Sequence, residues 1–451
     1  MSALITGQPP TRRPGYVAQV GLDFGTAYSK CIVRDVGTGL ARVVESGTAG
    51  QPYLFPSIVY WRDGKFMTEC QPGSLELPFA KVLLATLARE RGFDSRTTAW
   101  EGPLGREQMK NLENAAARLL ARILREAQNL VGQMMPGFGS QEDDLFYVNM
   151  CVPVDDLQDQ RTQAVFKNVL ESAWILATSP QRRGSPAEMC FLYPEVAANV
   201  QAFLKSGFAH TEWGNPLFMT DVGAGTVDQS YFIPTQNLES LTFLSGLVES
   251  LGSSQIEKRC ADLLVPEGGS EHFAAMQKFR AFKESRGDLE REAQLIFNQV
   301  VDALQKAMAI ITQHTVSEGR SKLTEVGQQR QNQFGRTKVL FAGGGIRDLS
   351  YRGGVFESFR QTWALTPDYI ELPRPNDLLR AFGAAVPEEW FRRLTVAYGL
   401  SFIPGDLQSI TLPNQLQQLP ARTVEVRHGN GLCAACGRPT VYGDDYCYTH
   451  Q

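Results

Sequence analysis

Gly21-Leu22-Asp23-Phe24-Gly25-Thr26-Ala27-Tyr28-Ser29-Lys30 runs from an apolar stretch into an aspartate and then turns through glycine and threonine. A second stretch, Thr220-Asp221-Val222-Gly223-Ala224-Gly225-Thr226-Val227-Asp228, repeats the arrangement, with its first aspartate 198 positions after Asp23 (221 − 23). Glycine lets a backbone take positive φ and approach closely, so successive N–H groups can converge on phosphate oxygens. The threonine hydroxyl adds a donor. An aspartate at a strand end can hold a hydrated Mg²⁺, which keeps several waters and uses one or two carboxylates. Either stretch alone reads equally as a hairpin turn, because Asp, Gly and Thr are common turn formers. The repetition is what favours a phosphate clamp.

A third loop strengthens that reading. In Val339-Leu340-Phe341-Ala342-Gly343-Gly344-Gly345-Ile346-Arg347 an apolar strand enters three glycines and an arginine. The glycines would let a flat base lie against the backbone, and Arg347 can stack its planar guanidinium on that base. The alternative is a glycine-rich turn with a surface arginine.

Around these loops the pattern alternates between strands and helices. Val17 to Val44 reads as three strands with a turn at Gly37–Gly39, and Tyr53–Trp61 as a further strand with Pro56 at an edge or a start. Asn111–Val131 carries apolar residues at helical spacing. A strand at Leu145–Val154, a helix over 158–176, a strand near Met189–Leu192 and a helix over 195–204 indicate an α/β lobe. Leu217–Asp221, Asp228–Ile233 and Leu241–Leu244 then repeat the opening unit. Helices are predicted over 253–264, 272–285, 289–313, 377–382 and 387–396, with a polar stretch at 317–336 before the strand 337–342.

In this order and spacing, DFGTAYSK, LYPEVAA, DVGAGTVD and FAGGGIR resemble the phosphate-1, connect-1, phosphate-2 and adenosine motifs of the superfamily of actin, sugar kinases and heat-shock-70 chaperones. The heat-shock-70 nucleotide-binding domain looks closest, from the Thr-Tyr-Ser spacing, the Val-Pro-Val strand end before Gln160-Arg161, and Ala381-Phe382-Gly383-Ala384-Ala385. The resemblance implies an α/β fold, a two-lobed actin-like ATPase with duplicated ribonuclease-H-like halves. Residues 1–15 would be a flexible tail, 16–205 lobe I, and 206–402 lobe II with a helical subdomain.

It also implies the site. Asp23 and Asp221 would bind Mg²⁺ through water. Gly25, Thr26, Ala27 and Tyr28 from one side, and Gly223, Ala224, Gly225 and Thr226 from the other, would hold the phosphates of ATP. Glu195 would orient the attacking water, and Lys81 would reach the γ-phosphate. Gly343, Gly344, Gly345 and Arg347 would meet adenosine, with Phe279–Glu284 on a neighbouring helix. Read from its surroundings alone, Lys81 fits a solvated charge on an amphipathic helix equally well. Likewise, Glu195 fits an acidic first-turn residue favoured by the helix dipole. Ala27 and Ala224 depart from the family's usual threonine and glycine, which removes a hydroxyl and points to slow hydrolysis. Beyond residue 402 the resemblance stops, so the family's peptide-binding domain and helical lid are not expected here.

Composition bounds the rest. The chain has 451 residues, 43% hydrophobic and 20% charged, and its 44 Lys+Arg against 48 Asp+Glu give a net charge of −4. That is an ordinary globular composition of more than one lobe, with no general attraction to nucleic acid or anionic membrane. The start, MSALITGQPPTRRPG, lacks the apolar run of a signal peptide, and a cytoplasmic location is expected by default.

Five cysteines are scattered, but Cys433, Cys436, Cys447 and His450 form a C-x2-C-x10-C-x2-H arrangement. Two close ligand pairs fit a closed tetrahedral Zn²⁺ site in a module over 430–451, after a linker at 403–429; reduced cysteines or a disulfide are the alternatives. The expected function is an ATP-dependent switch acting on a protein partner through the zinc module or the helical subdomain. Nucleic acid is a less favoured partner, and no membrane is expected. A filament-forming ATPase, a small-molecule kinase and a nucleotide-binding pseudo-ATPase are the other readings.

Overall fold

The turn at 24–27 sends β1 (Val17–Asp23) back along β2 (Tyr28–Asp35), and a second turn sends β2 back along β3 (Ala41–Val43). The computed structural model describes residues 15–411, apart from 49, 79, 90–105, 154–155, 158, 179–183, 206–214, 235–239, 267–268, 286–287, 326–333, 348, 373 and 408. The predicted module around Cys433, Cys436, Cys447 and His450 lies outside the described residues.

After β3 come β4 (Phe55–Pro56), β5 (Ile58–Arg62), β6 (Lys65–Met67), β7 (Leu75–Pro78), α1 (Ala80–Ala88) and α2 (Arg106–Met134). Then follow β8 (Leu145–Val152), α3 (Gln160–Ala177), the single turn α4 (Pro186–Met189), β9 (Cys190–Pro194) and α5 (Glu195–Lys205). The second half runs β10 (Leu217–Val222), β11 (Val227–Pro234), β12 (Ser240–Glu249), α6 (Ser254–Leu264), α7 (Gly269–Ser285), α8 (Arg291–Glu325) and β13 (Lys338–Ala342). It closes with α9 (Leu349–Trp363), β14 (Asp368–Ile370), β15 (Leu378–Leu379), α10 (Glu388–Leu400) and β16 (Ser409–Thr411).

The protein is mixed α/β. Its two large sheets share one plan. In the first, β3-β2-β1-β8-β9 has antiparallel neighbours up to β1 and parallel ones after it, with β15 added beside β3. In the second, β12-β11-β10-β13-β14 repeats the same order and directions, with β16 added beside β12. A small third sheet, β6-β5-β7, sits beside the first half.

Burial explains the layers. On α2 the residues Leu112, Ala116, Leu120, Ile123, Leu124, Ala127 and Val131 are buried at helical spacing and share a core with β1 and β8. Helix α5 is buried from Val196 to Leu204, with polar Asn199 and Gln201 among otherwise apolar residues. A second core joins α5 and α10 to strands of both sheets, through Ile32 and Val43 on one side and Leu217 and Leu340 on the other. The two helices cross where a Cβ on Gly399 would overlap the Ala198 carbonyl, and a Cβ on Gly21 of β1 would overlap the Ala397 carbonyl. This three-way contact of β1, α5 and α10 needs glycine because backbone meets backbone.

Two expectations are corrected. Residues 377–382 do not form a helix: Leu378–Leu379 pairs with β3, Ala41 N–H donates to the Asp377 carbonyl, and Gly383 at φ 85° closes a turn. Edge pairing and the Asp377 carboxylate, which accepts from Arg34 and Tyr398, outweigh local helix propensity. The helix predicted over 289–313 runs on to Glu325, through much of the polar stretch, because Val316 and Leu323 face the core.

Candidate functional site

The β1–β2 and β10–β11 hairpins have the same length. Asp23 lies opposite Lys30 across one, and Asp221 lies opposite Asp228 across the other. Their turns meet: a Cβ on Gly225 would sit 2.8 Å from Thr26 Cγ2. Each turn is held through its carbonyl oxygens. Ser57 Oγ donates to Gly25 O at 2.8 Å and Ser57 N–H to Ala27 O at 2.9 Å. In the second turn Gly252, Ser253 and Ser254 N–H donate to Gly225, Gly223 and Ala224 at 3.1, 2.9 and 2.8 Å. An anion repels carbonyl oxygens and attracts N–H groups, so carbonyls committed elsewhere suit these turns to phosphate. A Cβ on Gly25 would overlap Tyr28 O, so no larger residue fits the first turn.

Four buried or half-buried carboxylates converge here with two lysines. Lys30 Nζ lies 2.7 Å from Asp23 Oδ2, and Lys81 Nζ, at the start of α1, lies 2.6 Å from Glu195 Oε2 at the start of α5. Lys81 is only 5% exposed, so it is not a solvated surface charge. Burial alone would pull its pKa down, but the negative charges nearby, Glu195 first, outweigh that and raise it. Lys30 is raised in the same way, with burial opposed chiefly by Asp23.

Asp221 accepts from the Asn199 side chain. Its pKa is pushed up to about 7, first by burial and then by the negative charge of Glu195. Asp228 is driven well above the usual carboxylate range by burial, Glu195 and Asp221; Thr226 Oγ1 donates to its Oδ2 at 3.3 Å, and its buried Oδ1 has no partner among the described residues.

Cys151, at the end of β8, donates to Asp23 Oδ1 at 3.4 Å. Burial and the neighbouring acids hold its thiol well above the ordinary value. Asp23, Cys151 and Glu195 offer ligand atoms within 4.8 Å of one another. For Mg²⁺ the carboxylates are suitable donors and the soft thiol is not. The partnerless Asp228 oxygen and the glycine-lined turns fit a hydrated cation carrying phosphate.

The third glycine loop follows β13. Gly343 takes φ 86°, where a Cβ would overlap Asp221 Oδ1, and Gly344–Arg347 forms one 3₁₀ turn. A Cβ on Gly345 would lie 3.0 Å from Ser253 Cβ, so this loop adjoins the 252–254 strap. Lys283 of α7 ties in from beside it, donating to Ser253 O at 2.8 Å and to buried Glu257 at 2.5 Å. Phe279 is buried in the core rather than presented to a ligand. The Arg347 side chain lies outside what is described.

The fold therefore brings Asp23, Gly25, Thr26, Lys81, Glu195, Asp221, Gly223, Gly225 and Gly343 to one place. Sequence reasoning missed Lys30, Cys151, Asn199, Asp228 and the 252–254 strap. Lys30 and Asp228 stood inside the quoted motifs and could have been found from hairpin register, since residues seven apart face each other across both turns. Among the described residues no helix is long and apolar enough to cross a membrane. A scan of protein-family models finds no match to this chain, and a search of curated proteins finds none.

Proposed function

We propose that this chain is a two-lobed, actin-like protein of heat-shock-70-like type, which grips ATP with Mg²⁺ between its halves and hydrolyses it slowly as a switch on a protein partner. The observation that carries this reading is the meeting of Thr26 and Gly225 from two hairpins of equal register, one from each sheet. A single hairpin needs no ligand to explain it. Two glycine turns face to face, ringed by four carboxylates and two lysines, suit a polyphosphate with its metal.

In this reading the turn N–H groups bind the phosphates. Asp221 and Asp228 would hold a hydrated Mg²⁺, which would supply charge neutralisation for the phosphates. Lys81 turns from Glu195 toward the terminal phosphate, and Glu195 orients the water that attacks it. Phosphoryl transfer depends on such positioning and charge neutralisation. Slow turnover follows because Lys81 and Glu195 neutralise each other at rest, and because Ala27 offers no hydroxyl. The base lies against Gly343–Gly345 beside the Ser253 strap. The cysteine-rich 430–451 segment, as a zinc module, is the proposed contact for the partner.

Single-turnover measurement of ADP from stoichiometric ATP tests the reading. Slow Mg²⁺-dependent ADP formation, lost in Asp221→Ala and reduced in Glu195→Ala, is expected. Binding without any ADP would leave a nucleotide-binding scaffold, and no binding by the folded protein would remove the proposal.

A further inference from the structure

We infer that the cleft between α8 and α9 binds a small zwitterion of the α-amino acid class, with Glu357 taking its ammonium group and Arg360 its carboxylate. None of the residues that line this cleft belongs to the three glycine loops, and the inference does not depend on the nucleotide reading.

Glycine brings the two helices together. A Cβ on Gly354 would lie 2.5 Å from both Gln305 O and Met308 Cβ of α8, so backbone packs on backbone there. Beside that contact, Phe356, Glu357 and Arg360 of α9 join Gln305, Gly353 and Thr366 around an open cavity of about 380 Å³. Sites for small molecules run from about 300 to 1,000 Å³, so this one suits a small ligand.

Neutral donors hold the acid of the cleft in place. Gln305 Nε2 donates to Glu357 Oε2 at 3.0 Å, and Gln361 Nε2 donates to Oε1 at 2.9 Å. A Cβ on Gly353 would stand 3.2 Å from Gln305 Cδ and Oε1, so glycine leaves that amide its place against α9. An ionised carboxylate has about four acceptor positions, and the amides take one on each oxygen. Among the described residues no lysine or arginine pairs with Glu357.

Arg360 follows three residues on, where helix geometry sets it beside Glu357. Its guanidinium is exposed and has no partner among the described residues. Opposite charges at this spacing commonly pair on a helix. Here the amides hold the acid instead, and each charge is left for a ligand. Phe356 packs T-shaped on Phe341 of β13, ring centroids 5.9 Å apart, and gives the cavity an apolar wall. Glu357 repels a lone anion and Arg360 a lone cation. A molecule with an ammonium and a carboxylate on one carbon satisfies both and can lay an apolar side chain along Phe356.

Thermal unfolding of the full chain in free L-amino acids, at about 10 mM each, tests this, because a ligand of the folded state raises the midpoint. At least one amino acid with an apolar side chain should raise it, with a Kd by calorimetry of about 1 mM or tighter. Its N-acetyl and amide derivatives, each lacking one charge, should bind about tenfold or more weakly. Glu357→Gln should erase the preference for the free amino acid over the N-acetyl form, and Arg360→Gln the preference over the amide. Arg360 is exposed, so its replacement leaves the fold intact and decides the matter should Glu357→Gln fold poorly. No shift with any amino acid, equal binding of the singly charged derivatives, or unchanged affinity in Arg360→Gln would overturn the inference.

Discussion

The two hairpins share their length, their register and the aspartate at the end of the leading strand, yet they are built to different electrostatic ends. The first sets Lys30 against Asp23, and the second sets Asp228 against Asp221. The first turn is tight, with Gly25 pressed on the Tyr28 carbonyl. The second is looser, with a Cβ on Gly223 at 3.3 Å from Thr226 O. The two sheets thus share one scaffold, and a single cross-strand position sets their charge apart. The halves differ in their crossovers as well: the small sheet, α1 and α2 lie between β3 and β8 in the first, whereas α6, α7 and α8 lie between β12 and β13 in the second.

The steepest way to probe this contrast is pH. Asp221 titrates near 7 in the folded chain, above its ordinary 3.8. The folded state therefore keeps a proton that the unfolded state has released between those values. Its stabilising contribution is present below about pH 4 and is lost as pH rises through about 7, at no more than about 1.4 kcal/mol per pH unit. Urea unfolding across this window should show a shallower decline for Asp221→Asn than for the wild type, with Asp228 supplying what remains. Identical profiles for the two proteins would mean that the second hairpin carries no such strain.

Next comes the tightness of the turns. Gly25→Ala should cost about 3 kcal/mol, the upper range for forcing atoms into a packed site. Gly223→Ala should cost under about 1 kcal/mol, because its neighbour need give only slightly. Unfolding midpoints measure both, and equal costs would erase the distinction between the turns. The smallest effect concerns Asp228. Replacing it with asparagine removes a carboxyl whose ionisation burial, Glu195 and Asp221 oppose, and should stabilise the ligand-free protein by about 1 kcal/mol. The same change should weaken Mg²⁺-dependent ATP binding. A destabilised Asp228→Asn would show that the acid pair is already compensated.

How far the molecule was readable from its sequence depends on distance along the chain. Both hairpins were legible because the strand, the terminal aspartate and the glycine turn are consecutive. Helix α2 was legible from its apolar spacing. Helix α9 was not, since Gly353 and Gly354 lower its propensity. The structure gives the reason for one of them: a Cβ on Gly354 would overlap Gln305 O of α8. Residues 377–382 misled because a two-residue strand is decided by its partner, not by its own composition. Within the site, the ion pair of Lys81 with Glu195 spans 114 positions and the thiol contact of Cys151 with Asp23 spans 128. No local pattern encodes either one. Lys81 was reached only through the family resemblance, and Cys151 looked like any buried cysteine.

The central claim is that both hairpins close on one ligand. Hydrogen exchange of the amides in 24–29 and 222–228, with and without Mg²⁺–ATP, tests it most directly. Both segments should gain protection together and at the same ATP concentration. Protection of one segment alone, or of neither at saturating ATP, would contradict a site shared between the two halves.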